Sequence, residues 1–185
     1  IFLGSNTEFS GPDLTFDLKN DSTITSGSSV GAGTEAVNVG DVNGDGFNDF
    51  ALGLENLGDD FNYRGAVYVY PGMDYSSQTK QFANPSQPLV VLRPDTVLGQ
   101  TVRNFGTSVS GGDFDGDGFN DIAVLAQRSG GNPTPATVQV FKGGEEIDSE
   151  VDYLLFATDQ DFGGSEPDTV TALFRSGTVS SMPKG

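Results

Sequence analysis

The chain has 185 residues and a mass of 19.4 kDa, with 35% apolar and 19% charged residues, enough for one globular domain or a short repeat array that buries a core. Twenty-six acids against nine bases give a net charge of -17, which repels nucleic acid and anionic membranes and attracts cations. Cysteine, histidine and tryptophan are absent, which excludes disulfides, thiol and imidazole catalysis and thiolate or imidazole zinc sites, and no apolar run approaches the roughly 20 residues of a membrane-spanning helix.

Taken in order, the chain opens on Ile1-Phe-Leu-Gly4, a short strand followed by glycine, and continues to a second extended segment, Asp13-Leu-Thr-Phe-Asp-Leu18. Asn20-Asp-Ser22 fits the N-glycosylation acceptor pattern. An acidic nonamer, Asp41-Val-Asn-Gly-Asp-Gly-Phe-Asn-Asp49, then runs directly into the apolar segment Phe50-Ala-Leu-Gly-Leu54. A polar loop leads to Ala66-Val-Tyr-Val-Tyr-Pro-Gly72, and Pro88-Leu-Val-Val-Leu92 follows.

The same order then recurs. Arg103-Asn-Phe-Gly-Thr-Ser-Val-Ser110 precedes a second nonamer, Asp113-Phe-Asp-Gly-Asp-Gly-Phe-Asn-Asp121, which agrees with the first at seven of nine positions and starts 72 residues later. Ile122-Ala-Val-Leu-Ala126, Thr137-Val-Gln-Val-Phe-Lys-Gly143 and Val151-Asp-Tyr-Leu-Leu-Phe156 repeat the strands of the first copy. Asp161-Phe-Gly-Gly164 is out of register and reads as a loop, whereas Arg175-Ser-Gly-Thr-Val-Ser-Ser181 echoes residues 103–110.

Val, Thr, Phe and Tyr cluster in runs of about four to six residues between Gly, Pro, Asn, Asp and Ser, and no helical period is sustained. The expected class is all-β. Units of about 70 residues with four short strands each predict stacked β-propeller blades, about two and a half of them, with the ring incomplete within this chain. The expected divisions are 1–4, the last strand of a preceding blade; 5–72 and 73–143, two full units; and 144–185, the start of a third.

Each nonamer offers oxygen side chains at positions 1, 3, 5 and 9 and a backbone carbonyl at position 7. Its two glycines permit the tight curl that points alternate side chains inward. This is the donor set of a calcium ion, which takes six to eight oxygens at about 2.3–2.6 Å. The expected ligands are Asp41, Asn43, Asp45, the Phe47 carbonyl and Asp49 in the first loop. In the second they are Asp113, Asp115, Asp117, the Phe119 carbonyl and Asp121. The Phe47 and Phe119 rings are expected to turn away and fill the core beneath. An EF-hand is excluded, because its twelfth position needs Glu and these copies have Leu52 and Val124.

On these residues the chain resembles FG-GAP repeats, the calcium-binding blades of integrin α-subunit propellers and of many bacterial surface proteins. Phe105-Gly106, the two nonamers, the apolar runs after them and the closing Val-Tyr-Val-Tyr and Val-Gln-Val-Phe strands carry the resemblance. It implies that the acidic loop joins the first two strands of a blade and that the ion is structural rather than catalytic.

The functional expectation is a non-enzymatic, calcium-stabilised segment of an extracellular or cell-surface propeller, serving adhesion or surface architecture. It would carry two Ca2+ ions, with other protein chains or cell-surface ligands as partners, no nucleic acid and no membrane insertion. One alternative is a self-assembling filament or sheet subunit that donates the strand at residues 1–4 to a neighbour. Another is an accessory domain of a secreted hydrolase. Tyr68 and Tyr70, two residues apart, are expected on the half-buried face of a strand rather than in a glycan-binding surface.

Overall fold

A computed structural model describes residues 35–58, 64–72, 87–95, 102–128 and 136–157, together with the backbone of 170–174 and 179–180. The strand expected at Ile1–Leu3, that at Asp13–Leu18, the Asn20 acceptor site and the loop at 161–164 lie outside the described residues. Every described element is a strand: β1 (Glu35–Gly40), β2 (Asp49–Leu54), β3 (Ala66–Tyr70), β4 (Val90–Leu92), β5 (Val102–Gly112), β6 (Asp121–Arg128), β7 (Ala136–Phe141), β8 (Tyr153–Ala157), β9 (Val170–Phe174) and β10 (Val179–Ser180). The protein is all-β.

The strands form two antiparallel meanders. The first sheet has the order β1-β2-β3-β4, and the second runs β5 to β10 in sequence. Four strands were expected per unit; the second sheet has six, because β9 pairs with the outer edge of β8 and β10 with β9. That continuation covers backbone groups that a four-stranded sheet would leave open. Sequence unit and sheet are cut at different places. Val90–Leu92, which opens the second sequence unit, is the fourth strand of the first sheet, and Tyr153–Ala157 is likewise the fourth strand from β5.

The sheets pack face to face. Val39, Ala51, Val67, Val69 and Leu92 of the first meet Val102, Phe105, Val109, Ile122, Val124 and Phe141 of the second in one buried cluster. Alternation along β3 sends Val67 and Val69 into this layer and Tyr68 and Tyr70 to the opposite face. There the tyrosines are 0% and 3% exposed, with Leu54, Leu57 and Ala66, so they are fully rather than half buried. The Tyr70 ring stacks on Phe50 at 5.3 Å between centroids. Tyr68 and Tyr70 therefore leave no exposed face on which a ligand could stack.

Phe105-Gly106 lies in a bulge. Five steps from Arg103 to Ser108 along β5 match two steps from Gln127 to Leu125 along β6, which restores inward facing to both Val102 and Val109. The bulge inserts between the sheets: the Phe105 N–H donates to the Arg64 carbonyl at 3.0 Å, and the fully buried Phe105 ring meets Phe141 edge-on at 6.0 Å. Gly106, at φ 91°, lies so close to Gly53 that a Cβ on Gly53 would come within 2.2 Å of the Gly106 carbonyl oxygen. Gln139, 0% exposed, ties the sheets at another point by exchanging two hydrogen bonds with the Asp95 backbone, at 3.0 and 3.1 Å.

Candidate metal centres

The two nonamers occupy equivalent places, one joining β1 to β2 and the other β5 to β6. Each curls around its first aspartate. Asp41 accepts hydrogen bonds from the N–H groups of Gly44, Asp45 and Gly46 at 2.7, 3.1 and 2.8 Å. Asp113 accepts from Gly116, Asp117 and Gly118 at 2.7, 3.1 and 3.1 Å. The next two oxygen side chains repeat a smaller version of this turn, with Asn43 and Asp115 accepting from the fifth residue and Asp45 and Asp117 from the seventh. All four central glycines have φ between 75° and 97°, the left-handed backbone that the curl requires.

This winding gathers the side chains at the mouth of the loop. In the second copy Asp113, Asp115 and Asp117 are exposed, and each offers a carboxylate oxygen within 4.8 Å of the others. In the first, Asn43 donates to Asp45 Oδ2 at 3.0 Å, so the third and fifth positions are in contact there. A cluster of hard oxygens with no nitrogen or sulfur donor suits a calcium-like cation and gives a transition metal no preference.

The ninth position sits differently. Asp49 and Asp121 are 1% and 0% exposed, and both oxygens of each accept backbone N–H groups. Asp49 takes Val42 at 2.9 Å and Gly72 at 2.7 Å; Asp121 takes Phe114 at 2.9 Å and Gly143 at 3.0 Å. Each carboxylate thereby pins the start of its loop to the end of the third strand of its sheet. Burial pushes both carboxyl groups above the ordinary value of 3.8, opposed by those N–H donors and assisted by the neighbouring loop aspartates. Asp121 is not among the three carboxylates that converge at the mouth of the second loop.

The phenylalanines do not fill the core beneath their own loops. The Phe119 ring crosses to the first loop, where a Cβ on Gly44 would lie 2.4 Å from Phe119 Cε1, and Phe47 is 39% exposed. Beneath each loop the buried carboxylate at position 9 instead accepts the N–H of the loop's second residue. The loops also touch through the backbone, with Asn120 N–H donating to the Asp41 carbonyl and Gly144 N–H to the Val42 carbonyl, both at 2.9 Å.

Lys142, which the motif reading passed over, reaches the second loop and pairs with Asp115 at 2.5 Å and Asp117 at 3.5 Å. The pairing lowers the Asp115 carboxyl below its ordinary range and raises the lysine above its own. Its sequence signal is a charge standing where the first copy has Pro71.

Comparison with known proteins agrees with this geometry. Residues 105–141 match the family model of the FG-GAP repeat, so the matched span runs from the β5 bulge through the second loop to the end of β7. The chain is 39% identical to integrin α-PS2 of Drosophila melanogaster over 99 residues, 52% of this chain and 6% of that protein. It is 43% identical to integrin α-E of Mus musculus over 96 residues and 35% identical to integrin α-4 of Xenopus laevis over 95, about half of this chain and 8% of each relative. The chain thus carries an FG-GAP repeat and spans only a small fraction of the length of these integrin α subunits.

Proposed function

We propose that the chain is a non-enzymatic, calcium-stabilised stretch of an extracellular β-propeller serving adhesion or surface architecture. The observation that carries it is the equivalence of the two loops: the same hydrogen-bonded curl recurs between the first two strands of each sheet, and in the second it brings three carboxylates together. Similarity to integrin α subunits supports the adhesive role and the extracellular setting. There, free calcium near millimolar fills sites of modest affinity.

In this reading one Ca2+ is held by Asp41, Asn43, Asp45, Asp49 and the Phe47 carbonyl, and a second by Asp113, Asp115, Asp117, Asp121 and the Phe119 carbonyl. The ions neutralise crowded carboxylates and brace the junction where the loops meet, leaving strand edges and other loops to protein or cell-surface partners. Calcium titrated calorimetrically into the metal-stripped chain is expected to give two bound ions. Millimolar calcium is expected to raise the thermal midpoint by about 10 °C, as ligand binding to the folded state alone requires. No heat and an unmoved midpoint would end this reading.

A second reading, self-assembly, is favoured by Phe47 and Phe114, which are 39% and 54% exposed at positions whose repeat equivalents, Phe119 and Val42, are partly and fully buried where the two sheets meet. Strand donation by residues 1–4 is one route to it. Deleting those residues is expected to shrink any assembly seen by light scattering, and an unaltered particle size would discard that route.

A further inference from the structure

We propose that Lys142 is a resident counter-ion of the second acidic loop, which weakens that loop's hold on a divalent cation and keeps it folded when no metal is bound. The inference rests on the calcium reading given above. Lys142 Nζ lies 2.5 Å from Asp115 Oδ2 and 3.5 Å from Asp117 Oδ2, so the ammonium engages two of the three carboxylates that converge at the mouth of the loop.

Its placement is built into the fold. Lys142 directly follows β7; its N–H donates to Asp152 Oδ2 at 2.9 Å, and the next residue, Gly143, donates to Asp121 Oδ1 at 3.0 Å. The lysine stem therefore starts from the floor of the loop, anchored through the same buried aspartate that closes it.

Comparison of the two copies supplies the independent observation. Between the end of β3 and Gly72, the place corresponding to Lys142 holds Pro71, which has no charge. The third loop position also differs: Asn43 in the first copy and Asp115 in the second. The extra carboxylate and the ammonium thus occur in the same copy and touch each other. Positions 1, 3, 5 and 9 carry three carboxylates in the first loop and four in the second, and Lys142 returns the second to the net charge of the first.

A cation entering the second loop must separate the ammonium from Asp115 and Asp117. Once displaced by a few ångströms, the lysine still repels a divalent ion enough to lower affinity by about tenfold. Among the described residues, no basic side chain pairs with the first loop. Without metal the second loop still has its own cation.

The test measures calcium binding at one loop at a time, by calorimetry and by the luminescence of bound terbium. In chain whose first loop is disabled by Asp45→Ala, Lys142→Gln is expected to tighten calcium binding at the second loop about tenfold, and Lys142→Arg to leave it within about twofold. In chain whose second loop is disabled by Asp117→Ala, Lys142→Gln is expected to leave the first loop's affinity within about twofold. In chelator, Lys142→Gln is expected to lower the thermal midpoint of the otherwise unaltered chain, which a surface lysine of no consequence would not do. Equal second-loop affinity with and without the ammonium overturns the proposal and leaves the calcium sites standing. Absence of calcium binding at both loops in every variant overturns the calcium reading and this inference with it.

Discussion

Asp49 and Asp121 each hold two segments of chain together from a buried position, so they are structural groups before any cation is considered. Because burial raises their folded-state pKa above 3.8, the folded chain takes up protons there more readily than the unfolded chain. Their contribution to stability is therefore present at low pH and lost as pH rises through the raised value. In chelator, lowering pH from neutrality towards the ordinary carboxyl value of 3.8 is expected to raise the thermal midpoint, and Asp49→Asn with Asp121→Asn to flatten that rise. In millimolar calcium the ionised forms are held by the metal, and the same pH change is expected to lower the midpoint. A chelator profile that falls on acidification would remove burial as the governing cause. Asp45→Ala and Asp117→Ala address the exposed positions instead. Asp45→Ala is expected to cost stability in calcium and little in chelator, whereas Asp117→Ala, which also removes a partner of Lys142, is expected to cost more in calcium than in chelator but something in both; equal losses for Asp45→Ala in both conditions would contradict ligation. The alternate spacing of these side chains was legible in the sequence, because a nine-residue turn is a local object. The double hydrogen bonding of position 9 was not, because Gly72 and Gly143 approach from more than twenty residues away.

Between elements, the β5 bulge is the part that joins one sheet to the next. The Phe-Gly pair is visible as a motif, but its task depends on Gly53 and Gly65 in the preceding sheet, where added side-chain atoms would collide with the Gly106 and Phe105 carbonyl oxygens at 2.2 and 2.1 Å. No pattern within one unit announces a partner in another. Gly53→Ala is expected to destabilise the chain by about 1–3 kcal/mol, the usual cost of overfilling a packed site. Phe105→Ala should cost about 3–5 kcal/mol through the cavity left beside Phe141. Both losses should persist in chelator, which separates them from the loop variants. Denaturant melts would measure them, and a Gly53→Ala chain as stable as the parent would show that the sheets separate at that point. The run Val90–Leu92 shows the same limit. Its strand character was plain from composition, but its place as the outer strand of the first sheet was set by the edge that β3 offered.

For the molecule as a whole, the junction between the two sheets is directional. The first loop offers Gly40, Val42, Gly44 and the Asp41 carbonyl; the second sheet answers with Asn120, Phe119, Gly143 and Gly144. By repeat equivalence the second loop presents the first kind of surface again, with Phe114 54% exposed where Val42 is 0% exposed. The first sheet presents the second kind, with Phe47 39% exposed where Phe119 is partly buried against Gly44. In the self-assembly reading the two faces would make a heterologous contact, which joins copies head to tail. Self-association in calcium is therefore expected to grow with concentration over about 10–200 μM and to be weakened by Phe114→Ser or Phe47→Ser. The net charge of -17 sets the sign of the salt effect. Copies repel at low ionic strength, and raising salt to about 0.5 M screens that repulsion while the apolar contact remains, so association should strengthen with salt. Ion pairing between copies would do the opposite. Sedimentation velocity across these conditions decides the matter: a monomer at every concentration and salt would show that the two exposed phenylalanines do not bring copies of this chain together.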